Sequence, residues 1–229
     1  MFERAAYAKF RQGRVRSLPT HRTFFPLLGK ALNWFLGDLR RDLIGLLKER
    51  GHRRILDLGC GAGDLTRILA DHGFHPVGLD ASPAMLDQAR VAAKRPPTFP
   101  LVLANGGCLP FNAVFDAVLM RFVFHEMSPT LRETVWTELM RVIRPGGLLI
   151  VIDFTVPEKP GLLPRLGFEL IHFLEHRMDS IYPPHYLHYR DFIDTGGLTA
   201  WIAGQGISAA ETRRYFGGNL GLVAVSVAA

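Results

Sequence analysis

With 229 residues, 48% of them hydrophobic and 21% charged, the chain has the composition of a globular protein long enough for one α/β domain with a substantial core. No run approaches the roughly 18 uninterrupted apolar residues of a membrane span. Where an export signal would carry its apolar stretch, Met1 to Arg22 holds Arg4, Lys9, Arg11, Arg14, Arg16 and Arg22. The two cysteines, Cys60 and Cys108, exclude a disulfide framework or a cysteine-built metal site, and a cytoplasmic location is expected. The net charge of +6 favours anionic partners, yet the basic residues are dispersed beyond the N-terminal cluster and no zinc or aromatic signature of a nucleic-acid module is present, which argues against nucleic acid.

Residues 33 to 50 place Trp34, Phe35, Leu39, Leu43, Leu46 and Leu47 at three- and four-residue spacings, predicting a helix with one buried face. A strand over 53–58 follows, then the turn Gly59-Cys60-Gly61-Ala62-Gly63 into a helix carrying Leu65, Ile68 and Leu69. The pattern repeats with a strand over 75–80, a helix opened by Ser82-Pro83, and strands over 100–104, 115–120 and 147–154, the last preceded by a helix from Ser128-Pro129 to about Ile143. Such alternation builds a parallel sheet.

From Gly161 to Met178 a helix is predicted with Arg165, Glu169, His172 and His176 as its polar stripe and the apolar remainder buried or facing an apolar ligand. A proline-broken link at 180–184 and a helix over 189–205, weakened at Gly196-Gly197, precede a terminal hairpin of strands 208–216 and 220–228. The fold expected is α/β: a seven-stranded, mostly parallel sheet with helices on both faces and one antiparallel strand from the hairpin. A single domain, 1–229, is expected, with 1–50 as N-terminal cap and approach helix and 156–200 as a lid insertion.

A glycine turn between a buried strand and a helix lets a ligand approach the backbone, and free amides at the helix start offer hydrogen bonds. Gly59, Gly61 and Gly63 meet that requirement. Asp80, at the end of the next strand, stands where a carboxylate accepts hydrogen bonds from ribose hydroxyls, so the pair points to an adenosine-containing ligand. A dinucleotide fits less well: the spacing is G-x-G-x-G, and Asp64 would oppose a pyrophosphate at the helix start.

The segments Ile55 to Gly63, Gly78 to Leu86, Leu109-Pro110-Phe111, Phe115 to Val118 and Arg141 to Gly147 together resemble the class I S-adenosylmethionine-dependent methyltransferases, and among them the small-molecule group of ubiquinone and menaquinone biosynthesis. The resemblance implies the Rossmann-like fold of that class and S-adenosyl-L-methionine as cofactor. It implies that Gly59 and its turn hold the methionine part, that Asp57 supports the amino group, that Asp80 grips the ribose, and that Ala81 and Met85 flank the adenine. Cys60, Gly61, Gly106 and Arg121 belong to the same implied pocket. Asn105 stands where the family usually has Asp, and its amide oxygen can still accept a hydrogen bond from the adenine amino group.

After the fourth strand, His125 lies in a loop at the carboxyl edge of the sheet, where it is a candidate general base beside a packing reading; Glu126 is expected to support it. His172 and His176 share a helix face, but with no third ligand evident no metal is expected. Tyr186 and Tyr189 are candidates for the acceptor wall, set against simple packing of the lid. The expected reaction is in-line attack on the sulfonium methyl by a small or lipid-like acceptor such as a quinone precursor or lipid headgroup, with peripheral membrane contact in keeping with the basic surface. RNA methylation and cofactor binding without catalysis remain alternatives. Nothing in the sequence bears on oligomeric state.

Overall fold

The structure, a computed structural model, describes residues 24–92, 98–157, 161–178 and 185–228, with side chains from Leu36 onward. The basic N-terminal run and the link at 180–184 therefore lie outside the described residues. Helix α1 (Phe24–Glu49) precedes β1 (Arg54–Leu58), α2 (Asp64–Asp71), β2 (His75–Asp80), α3 (Pro83–Ala92), β3 (Leu101–Leu103) and β4 (Phe115–Arg121). A 3₁₀ turn (Phe124–Glu126), α4 (Pro129–Val142), β5 (Ile143–Phe154), α5 (Leu162–Met178), α6 (His185–Asp194), α7 (Gly197–Gly204), β6 (Glu211–Tyr215) and β7 (Leu220–Ser226) complete the chain.

The seven strands form one sheet in the order β3-β2-β1-β4-β5-β7-β6, parallel except where β7 runs antiparallel to β5 and β6. This is the expected α/β class with its single reversed strand. Central strands carry helices on both faces and are apolar throughout: Leu148 to Ile152 of β5 and Ala117 to Met120 of β4 are at most 1% exposed. Leu39, Leu43, Leu46 and Leu47 of α1 bury the predicted stripe against this core, joined by Leu36.

The helix expected over 189–205 is two helices. Gly196 (φ 98°) and Gly197 (φ 67°) break it because Gly197 pairs with Thr155, and a Cβ there would lie 2.8 Å from the Phe154 carbonyl oxygen. Of the two readings of helix α5, burial of its apolar face and contact with an apolar ligand, burial fails along one stripe. Leu162, Leu166, Leu170 and Phe173, four apolar residues on one stripe, are 75%, 58%, 48% and 60% exposed, while His172 of the supposed polar stripe turns inward to share a hydrogen bond with the Tyr189 hydroxyl at 2.9 Å.

At the opposite edge of the sheet from the glycine turn, Asp116 caps the entry to β1: its Oδ2 accepts from the Arg53 and Arg54 amides at 2.7 and 3.0 Å, and Arg144 lies 3.1 Å from Oδ1. Burial alone would raise this carboxyl, but the two amides and the guanidinium outweigh it and hold the pKa below the ordinary range. Asp116→Ala should cost about 2–3 kcal/mol of stability at neutral pH in urea unfolding. Because the native pKa is depressed, that contribution is present above the unfolded carboxylate value near 4 and is lost as pH falls through the native value. The two proteins should converge in stability under acid conditions.

Candidate active site

The sheet grows in opposite directions from β1 and β4, so their carboxyl ends lie side by side, with Leu58 opposite Met120, and no crossover helix separates the loops that follow. Phe122, left-handed at φ 55°, turns the second loop so that Val123 closes over the first. Gly59 and Gly61 take positive φ of 73° and 54°, but they serve different ends. A Cβ on Gly59 would meet Val123 Cγ2 at 2.4 Å, so this glycine is required by packing between the two loops. A Cβ on Gly61 would meet nothing within 4 Å, which leaves open space over the backbone at that point of the turn.

Around that space stand the predicted polar groups. Asp80 Oδ2 accepts from the Gly61 amide at 2.9 Å and Oδ1 from the Ser82 amide at 2.8 Å, so the carboxylate both orders the turn and leads into α3. Asp57, 2% exposed, accepts from the Thr66 hydroxyl at 2.6 Å. Burial raises its pKa, opposed by that hydrogen bond and by the Arg121 guanidinium. Arg121 is shifted down by its own burial, with Asp57 acting against the shift. Ala81, Gly106 and Met85 are partly accessible along the same edge. Asn105 is exposed, and its Oδ1 already accepts from the Gly107 amide at 2.9 Å, so a hydrogen bond from an adenine amino group would use the second lone pair of that oxygen.

Cys60 is 6% exposed; burial, then the neighbouring carboxylates of Asp57 and Asp80, push its thiol up to about 12. A thiol protonated across the physiological range packs and does not attack. In native protein at pH 8, iodoacetamide should modify the exposed Cys108 and leave Cys60 unmodified, with both reacting in urea, as peptide mass spectrometry would show.

His125 follows in the 3₁₀ turn, 3% exposed, and its Nδ1–H donates to Asp153 Oδ1 at 2.7 Å. Asp153, fully buried at the end of β5, also accepts from the Phe124, His125 and Phe154 amides. Burial pulls the imidazolium pKa down, but Asp153, with Glu126 and Glu175 beyond it, more than offsets this and raises it to about 9. In that state the ring donates and cannot accept a proton, so the base role expected for His125 belongs to the deprotonated ring alone.

Arg132 of α4, which the sequence reading passed over, is 2% exposed and ties this loop to α6. It donates to the Phe124 carbonyl at 3.1 Å, the His188 carbonyl at 2.8 Å and Asp191 Oδ2 at 2.8 Å, with its guanidinium 4.9 Å above the Phe192 ring. A buried arginine this fully paired is legible only once α4, the 3₁₀ turn and α6 are seen together. Of the two tyrosines read as acceptor wall or as lid packing, Tyr189 is fully buried against Phe154, His125 and His172, and Tyr186 keeps an accessible side. His176 lies against the Tyr186 ring at 4.7 Å.

A glycine turn with an open Cβ position and an acidic strand end, at the point where the sheet reverses its growth, are features common to nucleoside-binding α/β proteins. A family of methyltransferase domains matches residues 55–147. Demethylmenaquinone methyltransferase from Thermus thermophilus is 37% identical over 155 residues, 64% of this chain and 69% of that one. The demethylmenaquinone methyltransferase of Beutenbergia cavernae is 35% identical over 136 residues, 59% of this chain and 55% of its own, so the chain spans little more than half the length of that relative. Among solved structures, the PH0226 protein from Pyrococcus horikoshii superposes with a TM-score of 0.63 at 24% identity, covering 93% of this chain and 97% of that one, a likeness of fold. The chain belongs to the S-adenosylmethionine-dependent methyltransferases.

Proposed function

We propose that the protein methylates a small, largely apolar acceptor of the quinone-precursor kind, with S-adenosylmethionine held over Gly61. The open space above Gly61, whose amide Asp80 holds, carries the reading of the donor site, because a cofactor would lie against the backbone there and any side chain would intrude. When bound, the cofactor supplies an electrophilic methyl group on a sulfonium. Asp80 would accept from the ribose hydroxyls with the lone pairs that the two amides leave free, and Asp57 would face the amino group. Ala81 and Met85 would border the adenine, with Asn105, Gly106 and Cys60 beside them.

For the acceptor, three features support an apolar molecule reached from a membrane surface. The relatives are named for demethylmenaquinone. At the carboxyl end of β5, Val156, Pro157 and Phe168, with Arg165 and Glu169, line a cavity of about 290 Å³ against α5. The exposed stripe Leu162, Leu166, Leu170 and Phe173 lies on that same helix, and the chain carries a net charge of +6. Among the described residues no helix is long and apolar enough to cross a membrane, so the contact proposed is peripheral.

Asp80→Asn should weaken S-adenosylmethionine binding by about 1–3 kcal/mol in calorimetry while circular dichroism stays unchanged; undiminished affinity would remove Asp80 from the site. Protein incubated with deuterated-methyl cofactor and a membrane extract should yield a labelled quinone by mass spectrometry, and label in RNA instead would overturn the acceptor class. Vesicles containing anionic phospholipid should sediment the wild type, and a Leu166→Glu, Phe173→Glu double variant should lose most of that association, on the order of tenfold.

A further inference from the structure

Beside the open turn lies a second group of side chains that cofactor binding does not use. One ligating atom from each of His125, Glu126 and His185 falls within 4.8 Å of the others. Both imidazoles are tethered at one nitrogen by a carboxylate. His125 Nδ1–H donates to Asp153 Oδ1 at 2.7 Å, and His185 Nε2–H donates to Glu175 Oε2 at 2.5 Å. That leaves His125 Nε2 and His185 Nδ1 without a hydrogen-bond tether, the latter 4.0 Å from Glu126 Oε1, and the two rings meet edge to face with centroids 5.7 Å apart.

We infer that His125, His185 and Glu126 form a binding site for a divalent first-row transition ion of the zinc class. Two imidazole nitrogens and one carboxylate make a donor set suited to zinc and its neighbours, and unsuited to magnesium or calcium, which take oxygen ligands. The outer carboxylates strengthen the assignment. A histidine that ligates a metal typically donates its other N–H to a carboxylate or carbonyl, which fixes the ring and makes the ligating nitrogen more basic. Both histidines here carry such a partner, and Asp153 is itself held by three backbone amides.

Ligands of a tetrahedral ion at about 2.1 Å stand roughly 3.4 Å apart, so the group must contract by about an ångström. The Glu126 side chain, 50% exposed, has the rotameric freedom to supply that movement, while the two histidines, 3% and 5% exposed, are held in place. Three protein ligands leave a coordination position open. If the methyl-transfer reading holds, an acceptor hydroxyl bound there would release its proton to solvent water near neutral pH, and its oxygen would attack the sulfonium methyl as the thioether leaves.

The test uses the full chain, stripped by dipicolinate and titrated with cobalt(II) chloride, whose visible absorption reports nitrogen and oxygen ligation of low coordination number. One equivalent should bind with a visible band, and zinc should displace it. His185→Ala should weaken cobalt binding by about 100-fold or more. Asp153→Asn, which leaves the three ligands in place, should weaken it by about 10–100-fold. Glu126→Gln changes a half-exposed side chain and so keeps the fold, and it should lose at least tenfold. No saturable band, or a band of equal affinity in Glu126→Gln and His185→Ala, would overturn the site. Cofactor affinity measured on the same stripped protein should be unaltered, so failure of this inference is distinguishable from failure of the donor-site reading.

Discussion

Gly59 and Val123 meet with no room for a Cβ between them, and much of the carboxyl edge depends on that contact. A sheet that grows one way from β1 and the other way from β4 leaves the loops after these strands facing each other directly. Because Val123 seals one end of the glycine turn, the space left over its backbone lies at Gly61, whose amide donates to Asp80. The left-handed Phe122 belongs to the same arrangement, since it redirects the chain so that Val123 covers Gly59 while the next two residues turn inward toward β5. Backbone conformation thus divides the edge into a glycine-turn side and a side occupied by His125.

On that second side the organising force is electrostatic. Asp153 is fully buried, and a carboxylate without solvent must be met by donors or become neutral. Three amides and the His125 ring meet it here. Arg132 plays the corresponding part for positive charge, gathering two carbonyls and Asp191 from separate elements. The two groups lock the 3₁₀ turn between β5 and α6. In that position Glu175 of α5 and His185 of α6 come next to His125 and Glu126.

Most of the fold could be read from the chain. Strand and helix alternation through β5 is written in local periodicity, and the Gly196-Gly197 weakness lies where the last long helix divides. Helix α5 could not be read in the same way. Its apolar and polar residues do separate onto faces, but periodicity says that a helix has two faces and not which one the protein covers. His172 turns inward because the Tyr189 hydroxyl offers it a hydrogen bond, and the leucine stripe is left outward. Tyr189 reads in the sequence either as acceptor wall or as lid packing, and the surrounding aromatic rings put it in the interior.

By itself the sequence determined the glycine-turn half of the edge: the turn, Asp57 and Asp80 lie within 24 residues of one another, and their placement at adjoining strand ends follows from strand period, turn chemistry and the spacing of consecutive elements. Tertiary structure alone decided the partners of His125. Asp153 is 28 residues away from it, Glu175 meets His185 across 10 residues, and Arg132 meets Asp191 across 59. Such pairings depend on which strands become neighbours and how the lid helices fold back over them, and no local pattern encodes that choice. The same limit explains why His125 reads as a lone candidate base in the sequence and stands in the structure as one member of a buried group of histidines and carboxylates.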